Sequence, residues 1–252
     1  MSTVDDTGAA VDIAAVGSVR RVVSLVPSLT ESVAATDRGL LVGATDWCSH
    51  PADLDVTRVR GTKNPDLDAI KALHPDLVLA NEEENRPADI EALRAAGIPV
   101  WVTVIRTVDQ AFGSLARLLA ALGGQPEWLD AARAVWAALP EPEVRLRAII
   151  PIWRRPWMVV GRDTFTGDVL ARLGIDNIYA GHPERYPKIA LAELTETDPD
   201  LVVLPDEPYR FTEADGPEAF EGLRTALVSG RLLTWYGPSL AEAPGHLIRT
   251  TR

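Results

Sequence analysis

An α/β fold, with two Rossmann-like lobes built on parallel sheets and bridged by a helical segment, is what the 252-residue sequence predicts. Three observations carry that expectation. Short β-branched runs alternate with amphipathic helical patterns, the signature of parallel sheets covered on both faces. "LDAIKALHPDLVLANEEE" from Leu67 has a partner in "LAELTETDPDLVVLPDEP" from Leu191, so one helix–turn–strand unit occurs twice. Between the two copies lies a helical stretch that lacks the composition of a Gly/Ser linker.

In chain order, residues 1–19 read as a partly ordered tail, with acidic residues and a single apolar stretch interrupted by Asp12. The N-terminal lobe, 20–106, opens with the strand "RRVVSLVP", a helix from Ser28 and the strand "LLVGATD". The first repeat unit comes next. Its proline ends the short helix and disfavours helical geometry just before it, so helix gives way to strand there. "ADIEALRAAGIPVWVTV" then reads as a helix, a glycine stop and a strand holding Trp101.

Residues 107–140 form the bridge, two apolar-periodic helices broken at Gly123–Gly124 and restarted after Pro126. The C-terminal lobe, 141–252, offers "RLRAIIPIW" and "PWMVVGRD" as strands and a helix from Thr164 to Leu173. Its repeat unit ends in "EAFEGLRTALVSGRLLTWYG", which the comparison with the first copy reads as a helix followed by a strand containing Trp235.

Bulk properties narrow the partners. A formal charge of −11 and a pI near 4.9 argue against a nucleic-acid partner and against adhesion to anionic membranes. No apolar run approaches the ~20 residues that span a bilayer. The N-terminus is acidic where a secretory signal is basic, so the expectation is a cytoplasmic, monomeric protein, with export through an unseen N-terminus as the alternative. Cys48 is the sole cysteine, which rules out an internal disulfide.

In open α/β sheets ligands bind beyond the carboxyl ends of the strands. The residues just past each expected strand are therefore candidate site residues, without any motif. They are Pro27 and Ser28; Trp47 in "DWCSHP"; Asn81, Glu82 and Arg86 in "NEEENR"; Trp153 and Trp157; Phe165; and Trp235 with Tyr236. Aromatic walls with converging polar groups suit a large, flat, polar-edged ligand.

Each has a bland reading too. The acidic run is equally a solvated loop, Glu84 and Asn85 are candidates to cap the next helix, and the tryptophans are candidate packing anchors. Trp101, Trp128 and Trp136 read as core. Cys48 and His50 are metal-competent side chains but two residues make no site. The chain has no GxxxxGK[ST], GxGxxG, GxSxG, HExxH or CxxC pattern, so nothing local assembles a nucleotide site or a catalytic group.

"RRVVSLVPSLTE", "VGATDWCSHP", "RGTKNPDLDAIKALHPDLVLANEEENR", "GIPVWV", "GRDTFTGDVLARLGIDNIY" and "LLTWYGPSLAEAPGHL" together resemble the class III substrate-binding proteins, or helical-backbone metal receptors. The nearest branch is that of the cobalamin-binding proteins of ABC importers, and the resemblance runs from about Arg20 to the C-terminus. It implies a ligand held in an interlobe cleft without chemistry, and an ABC permease as partner. Trp47, Asn64, Asn81, Trp153 and Trp235 match positions where that branch lines its cleft; Lys63 and Asn64 would reach amide or phosphate groups. Glu84 and Glu242 lie in the regions with which exported members dock on a permease.

The ligand expected is therefore a corrinoid or similar metal chelate, with no catalytic cofactor and no metal ligated by side chains. Haem or a siderophore stands as an alternative ligand. An enzyme acting on a tetrapyrrole, with Glu82, Glu83 or His50 as acid or base, is the alternative function. Three departures from the family stand out: the lack of a visible signal, an inexact match of Glu84 and Glu242 to the docking positions, and a bridge shorter and more broken than a single long helix. These suggest intracellular carriage as an alternative to uptake.

Overall fold

Apolar, β-branched runs become the parallel strands around which each of two units is built. The computed structural model describes residues 3–13 and 18–252. One unit takes the described residues up to Val104, with Gln110–Asp130 and Tyr236–Pro238; the other takes Ile105–Asp109, Ala131–Trp235 and Ser239–Arg252.

In the first unit, β1 (Thr3–Val4) and β2 (Ala10–Val11) pair as an antiparallel hairpin. Then come β3 (Val22–Ser24), α1 (Pro27–Asp37), β4 (Leu41–Ala44), β5 (Thr57–Arg58) and the small antiparallel pair β6 (Arg60–Gly61) and β7 (Asn64–Pro65). α2 (Leu67–Ala72), β8 (Leu77–Asn81), α3 (Pro87–Ala95) and β9 (Val100–Thr103) complete the lobe. The main sheet has the order β5-β4-β3-β8-β9, parallel throughout.

Every residue of β8 is buried, and Val23, Val78, Ala80, Ile90, Leu93 and Val102 share one core. The valine, isoleucine and leucine side chains among them contribute roughly 1.5–3 kcal/mol each on burial. Trp101 is fully buried within β9.

The segment 107–140 contains α4 (Val108–Ala121) and α5 (Glu127–Ala137), each shared between the two units along its length. The second unit continues with β10 (Leu146–Ile149), β11 (Pro151–Arg154), β12 (Trp157–Val159), α6 (Phe165–Arg172), β13 (Ile175–Asn177), α7 (Leu191–Glu196), β14 (Leu201–Pro205), β15 (Thr225–Val228), α8 (Gly230–Thr234) and α9 (Ala243–Thr251). Its sheet runs β13-β10-β14-β15, again all parallel. Ile149, Val159, Leu194, Val202, Leu204 and Phe211 lie in its core.

The repeated Pro-Asp turn has the same physical job in both units. Asp76 accepts the backbone N–H of Arg20 at 2.8 Å and of Arg21 at 2.9 Å, while its own N–H donates to the Arg21 carbonyl at 2.8 Å. Asp200 accepts from Arg147 N at 2.7 Å and donates to the Arg147 carbonyl at 2.8 Å. One aspartate thus aligns the amino ends of two neighbouring parallel strands, β3 with β8 and β10 with β14.

The described part of the tail packs on the first lobe: Asp6 N donates to the Val102 carbonyl at 3.1 Å, and the Asp5 carboxylate takes Val102 N at 3.2 Å and pairs with Arg94 at 3.0 Å. The remaining tail positions 1–2 and 14–17 lie outside the described residues. Two strand expectations are corrected. "PWMVVGRD" adds no strand to the parallel sheet, because β11 and β12 turn back on each other as an antiparallel ribbon.

"LLTWYG" is not the strand of the second repeat either. That role falls to "TALV" in β15, while Ser229 caps the short helix α8 by accepting Leu232 N at 3.4 Å. Pro217–Phe220 is a single 3-10 turn where the first repeat has α3.

Replacing Asp76 or Asp200 by alanine is expected to cost about 1–2 kcal/mol each, the worth of charge-assisted hydrogen bonds at partly exposed sites. The two losses should add, since the carboxylates share no partner. Urea unfolding of both single variants and the double variant reads this directly.

Candidate functional site

Each unit carries its own group of candidate residues, assembled by different devices. In the first unit the carboxyl ends of β4 and β8 and the tip of the β6–β7 hairpin converge. Trp47 leaves the sheet after β4 and is 67% exposed, the most solvent-accessible large hydrophobic among the described residues. Its indole edge runs beside Gly61, where a Cβ would sit 3.4 Å from Trp47 Nε1. A Cβ there would also lie 2.5 Å from Asn64 Oδ1, so the Asn64 side chain folds over the bare Gly61 beside the indole.

The hairpin is tied to the acidic loop: Lys63 Nζ donates to the Glu83 carbonyl, and Asn85 Nδ2 donates to the Thr62 carbonyl at 3.0 Å. Trp47, Lys63, Asn64, Glu82 and Arg86 are all exposed on this rim.

Asn81 does not join them. It is 3% exposed, and its amide nitrogen donates to Thr103 O and Thr103 Oγ1, both at 3.1 Å. Its Oδ1 accepts Glu83 N at 2.8 Å and Glu84 N at 3.3 Å. Those bonds build the loop. Asn85 is likewise structural, and it does not cap α3: its Oδ1 takes Asn81 N at 2.9 Å, while the N-cap of α3 is Arg86, without a side-chain bond. Pro27 opens α1, and Ser28 behind it is buried. A Cβ on Gly237 would lie 3.1 Å from the Ser28 carbonyl, so the 236–238 segment passes close over this first turn.

Cys48 is fully buried under the same loop. Its sulfur accepts from Thr30 Oγ1 at 3.0 Å and lies 3.2 Å from Thr45 Oγ1. Burial pushes its thiol pKa up, against the opposing pull of the threonine hydroxyls and of Arg58. His50 points Nδ1 at Ser49 Oγ, 3.1 Å away. Among the described residues no three His, Cys, Asp or Glu side chains gather as a metal-ligand group.

In the second unit the candidate residues gather in an aromatic patch around the β11–β12 ribbon. Trp153, 42% exposed on β11, meets Tyr209 edge-on at 5.5 Å. Tyr209 lies 4.7 Å from Phe211, and Phe211 stacks on Trp157 at 6.0 Å with an interplanar angle of 5°. Behind the patch, Arg154 pairs with Asp215 and Glu218 and places its guanidinium 5.5 Å over the Trp157 ring. Tyr209 donates to Asp215 at 2.6 Å, closing the network. The Glu218 carboxyl is held below its usual range, first by the Gly216 N–H and then by Arg154.

Phe165, Trp235 and Tyr236 are buried instead of exposed. Phe165 is the first residue of α6, behind its Thr164 cap. Trp235 is 6% exposed and donates its indole N–H to Glu207 Oε2 at 3.0 Å. Sequence reasoning misses Tyr209 and Phe211, although "PYRF" stands shortly after the β14 run and offers the same strand-end signal.

A family model for periplasmic binding proteins matches residues 22–222. The chain belongs to that family. It is 26% identical over 216 residues to the vitamin B12-binding protein of Pectobacterium carotovorum, covering 81% of this chain and 78% of that one. Among solved structures, the periplasmic vitamin B12 binding protein BtuF of Vibrio cholerae superposes with a TM-score of 0.73 at 20% identity, over 92% of this chain and 96% of that one. The periplasmic heme-binding protein RhuT of Roseiflexus gives 0.73 at 19% identity, over 93% and 100%. These two likenesses establish the fold. No helix among the described residues is long and apolar enough to cross a membrane.

Because Asn81 is engaged within the loop, Asn81→Ala should lower unfolding stability by about 1–2 kcal/mol, the cost of losing hydrogen bonds from a buried side chain to Thr103 and to the backbone N–H groups of Glu83 and Glu84. Chemical denaturation of the variant checks this, and an unchanged midpoint would return Asn81 to the free site groups.

Proposed function

We propose that this chain is a non-enzymatic binding protein for a corrinoid or a similarly bulky metal chelate. The observation that carries the reading is the exposed indole in each unit: Trp47 against the Gly61–Asn64 hairpin, whose Lys63 is tied to the acidic loop, in one unit, and Trp153 on its aromatic patch in the other. Large aromatic planes left open to water are costly unless a ligand covers them, and indole faces suit the flat ring of a chelate. The flanking amide, ammonium and carboxylate groups suit a ligand with amide or phosphate arms. The likeness to vitamin B12-binding proteins supports the same ligand class.

Capture without turnover is the natural use of a site built out of packing and fixed hydrogen bonds. Delivery of the ligand by a monomer to an ABC-type permease is part of the proposal, and family membership supports it.

Titration with cyanocobalamin, dicyanocobinamide, haemin and a ferric siderophore, followed by visible absorbance and tryptophan quenching, tests the reading. A corrinoid is expected to bind saturably at micromolar concentration or tighter and to be recovered unchanged. Trp47→Ala and Trp153→Ala are each expected to weaken it by roughly tenfold or more, as for aromatic anchors in other interfaces. Conversion of any bound tetrapyrrole would favour an enzyme instead, and binding of none of the four would overturn the proposal.

A further inference from the structure

Trp47 is an exposed side chain on a loop, and such residues are ordinarily mobile. This loop is not left to itself. Arg58 Nη1 donates to the carbonyls of Thr45 and Cys48, both at 3.0 Å, and Nη2 donates to the Leu54 carbonyl at 3.1 Å. All three of these hydrogen bonds go to main-chain oxygens on either side of Trp47, and a planar guanidinium is suited to spanning them at once. Further ties act from the same sides. Asp46 N donates to the Arg60 carbonyl at 2.8 Å, Cys48 N to the Thr45 carbonyl at 3.1 Å, and Ser49 N to the Trp47 carbonyl at 2.9 Å. At the far end Arg38 pairs with Asp53 at 3.0 Å.

Arg58 itself sits in β5, one residue from the β6–β7 hairpin against which the indole rests. The same short stretch therefore fixes both the loop that carries Trp47 and the surface beside its ring.

We propose that Arg58 is a positioning residue for ligand binding, holding the 45–54 loop closed so that Trp47 stands as a preformed aromatic plate. It would add affinity without touching the ligand, by removing the ordering cost that a mobile indole would meet on binding. This rests on the chelate-binding reading above, but its physical core concerns the unliganded loop. Nature supplies a reporter there: Cys48, the sole cysteine, is buried beneath the loop and bonded to Thr30 and Thr45.

The experiment uses the full chain and Arg58→Met, with Arg58→Lys as a second variant that keeps the charge but not the fork. Far-UV circular dichroism establishes that each is folded. In unliganded protein, the rate of Cys48 reaction with a disulfide reagent is expected to rise by about tenfold in Arg58→Met, reporting local opening. With cyanocobalamin as probe, Arg58→Met is expected to weaken binding about fivefold when Trp47 is present and less than about twofold in a Trp47→Ala background, the mark of two residues acting as a unit.

An unchanged thiol rate in both variants would overturn the proposal. So would an equal loss of affinity in both backgrounds, which would assign Arg58 a general structural role. If the wild-type protein binds no cyanocobalamin, the corrinoid reading fails by itself, and the thiol rate still decides whether Arg58 clamps the loop.

Discussion

One aspartate per unit sets the geometry on which everything else in the fold depends. Parallel strands have no hairpin to fix their register, so their alignment must come from side chains and crossovers. Asp76 and Asp200 supply it by bonding the backbone at the amino end of the neighbouring strand, each through a side-chain acceptor and a main-chain donor. With the amino ends aligned, β3 and β8 run out together at the opposite edge, and so do β10 and β14. The loops that carry the candidate groups in the first unit are therefore brought to one edge by an interaction at the other.

The two units then present their aromatic groups in different ways. In the first, a single indole is lifted on a loop whose main chain is bonded at several points, with a glycine-floored hairpin beside it. In the second, two tryptophans ride on an antiparallel ribbon and are backed by Tyr209, Phe211 and an arginine held between two carboxylates. Both devices achieve the same physical end, an apolar plane held in water with little freedom to collapse. Preorganisation of this kind raises affinity by lowering what must be ordered on binding.

The parallel α/β architecture was legible because its signals are local and periodic: apolar runs, Pro-Asp turns and prolines at helix starts. The repeat was legible for the same reason, and Asp76 and Asp200 show that the shared dipeptide reflects a shared hydrogen-bond pattern. The second repeat went astray after Phe220, where "TALV" and "LLTW" are equally strand-like and only pairing with β14 chooses between them. Trp235 was misplaced with it, since an indole bonded to Glu207 and buried looks the same in sequence as one facing solvent. Asn81 misled in the same way, because a polar side chain at a strand end can build its own loop as readily as meet a ligand. Arg58 left no local signal at all; its role exists only through carbonyls four to thirteen positions away.

Hydroxyl-radical footprinting of the intact protein with and without saturating cyanocobalamin, read by mass spectrometry at each tryptophan and exposed aliphatic, decides whether the two indoles face the ligand. Protection is expected at Trp47 and Trp153 together, with Val135 and Val144, which are exposed elsewhere, oxidised as before. Protection confined to other residues, or unchanged oxidation of both indoles in a protein carrying bound corrinoid, would contradict that assignment.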